Sequence, residues 1–366
     1  MSPPLPGRPG VSVVIVNYRS WGDVATLVGS LARSPRVASG FCEVLVVDNA
    51  SGQPIPAALR TSTPGVRLIL RPSNGGFSSG VNVGWQAATA PWLLILNPDV
   101  VPGPDFLDRV ADRIDAFERR PEGPPGVVGF ALKNPDGTRQ PSVGAFPSLF
   151  RTVWEQLIPR SRRKYQPDWR VKAGRVDWVT GACFLVSATL LEAVGGMDDD
   201  FFLYYEEVAL CRDANRRGWS VEYDASVSVV HLRPLQNRPI SPKMRVITRH
   251  SKLLYFRKHL PRWQFVALAW AIQAEARARG AWCRMRGQPG LKTWRAVGWM
   301  ARKLRSGADF HGRAVLELAE SVDELVDDDR DEAGGGPRPG GHSGNDQPIR
   351  TRNRSRRARG ARPTSP

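Results

Sequence analysis

Asp99 follows the apolar run Trp92 to Leu96 in the setting Asn97-Pro98-Asp99. A carboxylate at a strand end can hold a hard divalent cation, Mg²⁺ or Mn²⁺, which shares oxygen ligands with substrate phosphates. The same residue also fits a simple Pro-Asp turn. Asn97 offers a neutral carbonyl, a weaker ligand that can act through water. Asp48 ends a second apolar run, Glu43 to Val47. It can accept an N–H from a base or a ribose hydroxyl, or form an Asx turn ahead of Ser51. Asn74 to Gly84 is glycine-rich and precedes a helical stretch. Small residues there, Gly76 among them, let backbone N–H groups approach phosphate or sugar, or serve only to reverse the chain. No Gly-x-Gly-x-x-Gly fingerprint is present. Glu206 and Glu207 open a helix after an aromatic run. Adjacent residues there point about 100° apart, so one can be a general base while the other caps the helix. Both also suit the helix dipole. His231 ends a β-branched strand and is the only histidine up to that point. It can ligate a metal or be an ordinary strand-end residue.

The elements that must position these groups follow from the hydrophobic pattern. Val11 to Val16, Glu43 to Val47, Val66 to Leu70 and Trp92 to Leu96 read as strands, with helices over Asp23 to Leu31 and Val81 to Ala88 between them. Apolar strands alternating with helices predict an α/β fold with a mostly parallel sheet covered on both faces. Ligands of such sheets bind at the carboxyl ends of the strands. Asn17, Asp48, Asn74 and the Asn97/Asp99 pair all fall there. Further on, Gly126 to Phe130 and Val176 to Val186, broken at Gly181, read as strands, followed by a helix from Ser187 to Val194. A helix from Glu206 to about Arg217 and a strand from Trp219 to Val230 complete this part. Beyond Pro261 the chain is helical and rich in Trp and Arg.

The net charge of +17 is unevenly placed. Residues 1–231 carry 24 Lys/Arg and 23 Asp/Glu, whereas residues 232–306 carry 18 Lys/Arg and one acid, Glu275. Such a cationic segment seeks nucleic acid, a lipid surface or a polyphosphate. Four cysteines without paired spacing exclude a disulfide scaffold or zinc ribbon and read as thiols of a reducing compartment. Met1 to Gly10 contains no apolar signal core, and the apolar run from Trp263 to Ala274 is shorter than the about 20 residues a span needs. The expected location is therefore cytoplasmic. The expected organisation is a flexible start over 1–10, a catalytic domain over 11–260, a basic Trp/Arg-rich helical extension over 261–326 and a disordered tail over 327–366.

In order, Val13 to Tyr18, Val46 to Ser51, Asn74 to Phe77 with Asn82, and Leu96 to Val100 resemble the family-2 glycosyltransferases of the GT-A fold. Thr180 to Ala182, Gly195 to Asp198, Phe201 to Glu207 and His231 continue the resemblance. It covers about 11–231, with a family-like stretch to about His259. The Asn-Pro-Asp form and the Phe-Phe-Leu-Tyr block are most similar to bacterial rhamnosyltransferases acting on polyprenyl-diphosphate-linked acceptors. The resemblance implies a nucleotide-sugar donor, best matched by dTDP-rhamnose, and a single inverting displacement onto a glycan hydroxyl. It implies Asn17 and Asp48 at the nucleotide base, with Asn74, Gly76, Asn82 and Asn97 also toward the donor. It further implies Asp99 on the metal, His231 on the metal or leaving diphosphate, and Glu207 as base with Glu206 as second choice. Asn97 departs from the family's first Asp, Glu207 from its usual Asp, and Ala209 from a further Asp in many relatives.

Two other readings compete. One is a nucleic-acid-binding protein; no zinc finger, helix-turn-helix or RNP pattern accompanies the charge, so no specific nucleic acid is expected. The other is a binding domain without turnover, motivated by Asn97 and Ala209. Trp263, Trp270, Trp282, Trp294 and Trp299 among the basic residues predict docking on the anionic inner face of the plasma membrane. The alternative is a helical pair packed on the catalytic domain with its Trp buried.

Overall fold

The computed structural model describes residues 9–60, 64–155, 173–234 and 240–322. The flexible start, apart from Pro9 and Gly10, and the tail over 327–366 lie outside the described residues. The first half supplies β1 (Val11–Asn17), α1 (Trp21–Leu31), α2 (Pro35–Ala38), β2 (Cys42–Asp48), α3 (Ala57–Arg60), β3 (Val66–Leu70), α4 (Phe77–Ala87) and β4 (Trp92–Leu96). Next come β5 (Val100–Pro102), α5 (Phe106–Glu118), β6 (Val127–Lys133), β7 (Arg139–Gln140), β8 (Val143–Gly144), α6 (Leu149–Glu155), β9 (Gly174–Arg175), β10 (Trp178–Val179) and β11 (Cys183–Ser187). The remainder is α7 (Ala188–Val194), α8 (Glu206–Arg216), β12 (Val221–His231), α9 (Pro242–His259), α10 (Arg262–Arg286), α11 (Leu291–Arg305) and α12 (Arg313–Ser321).

The main sheet runs β3-β2-β1-β4-β11-β6-β12-β5. β1 pairs in parallel with β2, where Asn17 faces Asp48, and with β4, where Ile15 faces Leu96. β11 is antiparallel to both its neighbours. The sheet is therefore the expected mostly parallel one. Its winding direction reverses between β1 and β4, and that crevice is where open α/β sheets bind ligands. The Val176 to Val186 stretch is two strands, β10 and β11, in separate sheets, with Gly181 between them.

Alternation along β1 feeds two cores. Val14 and Val16 face α4 and the later helices, while Val13 and Ile15 face α1 and α5. α4 lies close to the strand because Gly80 and Gly84 have no side chain. A Cβ at Gly84 would stand 2.4 Å from Val14 Cγ1. The core on the α4 side continues without a break into the C-terminal helices, through Tyr255, Phe256, Val297, Met300 and Leu304. The boundary expected at 260/261 thus falls between two helices of one packed layer. α9 itself was not anticipated as a helix, although Ser241 caps it by accepting from Met244 N and Pro242 occupies its first turn.

The tryptophans of the basic segment divide. Trp263, Trp270, Trp282 and Trp299 are exposed, as expected for an outward face. Trp294 is not: it is buried, beneath the guanidinium groups of Arg245, Arg249 and Arg279 at 4.9–5.1 Å. The reason is helical periodicity, which sets Trp294 on the same face as the buried Val297, Ala301 and Leu304.

Candidate active site

The carboxyl ends of β1 and β4, the α4 N-terminus and the Phe202–Leu203 turn enclose a cleft of about 290 Å³. Asn74, Gly76, Asn97 and Asp99 line it, as the sequence predicts. Tyr18, Asp23, Asn49, Phe77 and Arg233 line it too and were not singled out. Gly76 has φ +90, and a Cβ there would lie 2.3 Å from the Phe202 carbonyl oxygen. Only glycine lets the two walls meet, and Phe77 N donates to that carbonyl at 2.9 Å.

Asn17 and Asp48 are buried behind the cleft. Asn17 Nδ2 donates to Asp48 Oδ1 at 2.7 Å and to Ser51 Oγ at 3.1 Å, and its Oδ1 accepts from Ser20 N at 3.1 Å. Asp48 Oδ2 accepts from Ser51 N at 3.1 Å, so the Asx-turn reading is realised. The residue facing the cleft is the next one, Asn49. Its Nδ2 donates to Asn74 Oδ1 and Gly76 O, each at 2.8 Å, while its Oδ1 accepts from Arg71 at 2.5 Å. Strand alternation is the signal that could have found it: Asp48 and Asn49 leave β2 toward opposite sides.

Asn82 lies elsewhere. It bonds Met197 through both its amide groups, and Asp199, at 2.7–2.8 Å, beside a separate acidic cavity. In the structure it latches α4 to the Gly195–Asp200 loop.

Asp99 and His231 are brought together by the β5–β12 pairing, which sets His231 opposite Val100. His231 Nε2 stands 3.4 Å from Asp99 Oδ1, and Arg233 Nε stands 3.8 Å from Asp99 Oδ2. Arg233 also pairs with Asp23 across the cleft mouth. Burial by itself would raise the Asp99 carboxyl. The His231 hydrogen bond and the His231 and Arg233 charges outweigh burial and hold it below the usual carboxylate range. Gln140 contacts His231 Nδ1 at 3.0 Å, fixing the ring from behind as a supporting partner does for a metal-ligating imidazole. An anionic oxygen and an imidazole nitrogen, with the Asn97 amide nearby, form a donor set that suits Mn²⁺ or Mg²⁺. Among the described residues no cluster of three or more His, Cys, Asp or Glu could hold a metal alone. A cation held there would take its remaining ligands from substrate oxygens and water.

Glu206 and Glu207 are buried in the first turn of α8. Glu207 Cβ and Cγ lie 3.8 and 3.9 Å from where a Cβ on Gly181 would sit, and the Phe77 ring is 3.9 Å from the same point. Phe77 lines the cleft and Glu207 does not, although both approach Gly181. The Glu207 helix is entered through Tyr204 and Tyr205, at φ 68 and 71. Left-handed backbone at two successive aromatic residues costs about 1–3 kcal/mol each. It is held by Ser251 Oγ donating to Leu203 O at 2.7 Å and by the Tyr205–Tyr255 ring pair at 5.6 Å. Among the described residues the other non-glycine positions with positive φ, Arg19 and Ala50, also follow strand ends at this edge.

The model of the family described as glycosyl transferase family 2 matches residues 12–195. An N-acetylglucosaminyl-diphospho-decaprenol L-rhamnosyltransferase of Mycobacterium tuberculosis is 31% identical over 210 residues, covering 51% of this chain. The match spans 66% of that relative, just under two thirds of its length. The low-salt glycan biosynthesis hexosyltransferase Agl10 of Haloferax volcanii is 25% identical over 234 residues, covering 62% of this chain and 68% of the relative. Among solved structures, a mannosyltransferase from Pyrobaculum calidifontis in complex with GDP-Man and Mn²⁺ aligns with TM-score 0.46 and 18% identity, covering 87% of this chain and 88% of that one.

Proposed function

Because the chain belongs to glycosyl transferase family 2, we propose that it transfers a hexosyl group with inversion onto a hydroxyl of a lipid-linked or cell-envelope glycan. The donor that fits best is dTDP-rhamnose and the acceptor a polyprenyl-diphosphate-linked glycan, in line with the name of the mycobacterial relative. The observation that carries this reading is the cleft itself. Asn74 and Gly76 from the turn before α4, and Asn97 and Asp99 from the turn after β4, meet at the reversal point of the sheet.

The donor's nucleotide lies along the β1–β2 ends, with Tyr18, Asn49 and Asn74 offering ring and amide contacts. The buried Asn17–Asp48–Ser51 network keeps those turns in place. Asp99 and His231 are the residues that would hold Mg²⁺ or Mn²⁺, which when bound neutralises charge on the diphosphate. Arg233 adds a fixed cation on the same side. Glu207 accepts the acceptor hydroxyl proton as that oxygen bonds to the anomeric carbon. The bond from that carbon to the diphosphate oxygen breaks on the opposite face, and the nucleoside diphosphate leaves with the electron pair. Glu206, on the same turn, is the second choice for the base.

The test is turnover by the purified full-length chain on a panel of nucleotide sugars with polyprenyl-diphosphate-linked GlcNAc as acceptor. The expected result is an anomerically inverted product from dTDP-rhamnose. Nucleotide binding without turnover of any donor would favour a binding domain, and turnover of another sugar would correct the donor.

A further inference from the structure

α10 and α11 form a hairpin whose outer groove encloses about 340 Å³. Its floor is small: a Cβ on Gly298 would stand 3.3 Å from Ala276 Cβ, and Gly280 lies beside them. Its rim carries four arginines. Arg277 and Arg284 come from α10, and Arg295 and Arg302 from α11. Each pair is seven residues apart, which puts both members on one helix face. Among the described residues none of the four makes an ion pair or side-chain hydrogen bond. Residues 262–305 hold ten Lys/Arg and one acid, Glu275. Glu275 is already engaged by Arg249 at 2.9 Å and Arg279 at 3.0 Å. Among the described residues the groove is thus a concave cationic surface with no counter-charge on its rim.

The same surface exposes large apolar groups. Trp263 and Trp270 precede Arg277 and Arg284 at the same seven-residue spacing, so one stripe of α10 reads Trp, Trp, Arg, Arg. Trp263 is 63% exposed and Met285 74%. Trp299 lines the groove, exposed under Lys303 at 5.5 Å, and Trp282, outside the groove on another side of α10, is exposed under Arg286 at 4.7 Å. Among the described residues no helix is long and apolar enough to cross a membrane.

We propose that the α10–α11 hairpin docks the protein flat on an anionic lipid bilayer, its four-arginine groove taking lipid phosphates and its exposed tryptophans entering the headgroup layer. Guanidinium groups bind phosphate oxygens bidentately, and indole rings favour the headgroup depth. A long helix with apolar and basic side chains on one face is suited to lie in that interface. A nucleic acid would satisfy the arginines as well. It gives no reason for Met285, whose exposed thioether gains from an acyl boundary and not from base stacking. The proposal rests on charge and exposure, independently of the transfer reaction, and its readout needs no turnover.

The experiment is flotation of the full-length chain with vesicles of phosphatidylcholine alone or with about one third phosphatidylglycerol. Binding should require the anionic lipid and weaken at high salt. Replacing Arg277, Arg284, Arg295 and Arg302 together by Gln should lower the vesicle-bound fraction about tenfold or more, while the fourfold Lys variant keeps most of it. Trp263→Ser with Trp270→Ser should weaken binding with the charges intact. In the unmodified chain, brominated acyl chains should quench tryptophan fluorescence on anionic vesicles, a readout that survives if a variant folds poorly. Equal flotation on zwitterionic vesicles, unchanged binding by the fourfold Gln variant, absence of quenching, or duplex DNA displacing the chain from vesicles would each overturn the proposal.

Discussion

The strand-edge cleft and the α10–α11 groove both present polar side chains, but they treat them in opposite ways. In the cleft and in the layer directly behind it the polar groups are engaged with one another: Asn49 with Asn74 and Arg71, Arg233 with Asp23, and behind them Asn17 with Asp48 and Ser51. In the groove four guanidinium groups face solvent with no partner among the described residues. A pre-paired network holds its donors in fixed directions before a ligand arrives, which suits one ligand in one pose and a reaction needing little reorganisation. Unpaired long cations adapt to whatever anionic surface is near, at little geometric cost. The first arrangement suits chemistry and the second suits adhesion to an anionic surface.

That contrast predicts which variants should separate turnover from stability. The largest effect belongs to Glu207→Gln, which should lower the rate by about 10²–10⁴ with donor binding and melting temperature unchanged. If Glu206→Gln is the inactive variant and Glu207→Gln is near normal, the base is one residue earlier. Asp99→Asn should cost at least about a hundredfold in rate, because lost stabilisation of diphosphate charge amounts to several kcal/mol. Full activity of that variant in the presence of EDTA would contradict the assignment. Gly76→Ala tests the one edge position where both properties should fall together. It forces left-handed backbone and a clash with the Phe202 carbonyl, for about 2–4 kcal/mol by thermal or denaturant melting. A variant as stable as the parent would show that the two cleft walls do not depend on this contact.

The helical layer has its own signature in pH. His250 of α9 is fully buried, and its Nε2 meets Phe310 O at 2.6 Å. Burial is the main reason its pKa falls from 6.5 to about 4; the Phe310 carbonyl opposes that shift, and the Arg257 and His311 charges add to it. Between those values the unfolded chain takes up a proton that the folded protein refuses. The His250 contribution is therefore complete above pH 6.5 and lost as pH falls toward 4, about 3 kcal/mol in all. Denaturant melts across that window should show the decline, and His250→Gln should flatten it. An equal slope in the variant would place the acid sensitivity elsewhere.

The four parallel strands and their polar ends were legible because β-branched runs stop at Asn17, Asp48 and Asn97, and the α/β alternation needs nothing further. What stayed hidden depends on side-chain direction and on distance along the chain. Asp48 carries the more conspicuous charge, yet it turns inward and Asn49 faces the cleft. Asp23 and Arg233 are 210 positions apart, so no local pattern joins them. Tyr204 and Tyr205 adopt left-handed backbone that no propensity would assign to aromatic residues. α9 carries an ordinary start signal in Ser241 and Pro242, but its many basic residues obscure the apolar face in the sequence. Trp294 stands among basic residues as the four exposed tryptophans do, and only helical period, which aligns it with Val297, Ala301 and Leu304, sets it apart.

In the proposed function the cleft holds a nucleoside diphosphate through a metal that, among the described residues, Asp99 and His231 would grip. Calorimetric titration of dTDP and UDP into the full-length chain, with and without Mn²⁺, tests it most directly. Mn²⁺ alone should bind weakly, nucleotide binding should strengthen at least about tenfold when Mn²⁺ is present, and Asp99→Asn should abolish this gain while leaving weak metal-free binding. Equal nucleotide affinity with and without Mn²⁺, or a full gain in Asp99→Asn, would contradict it.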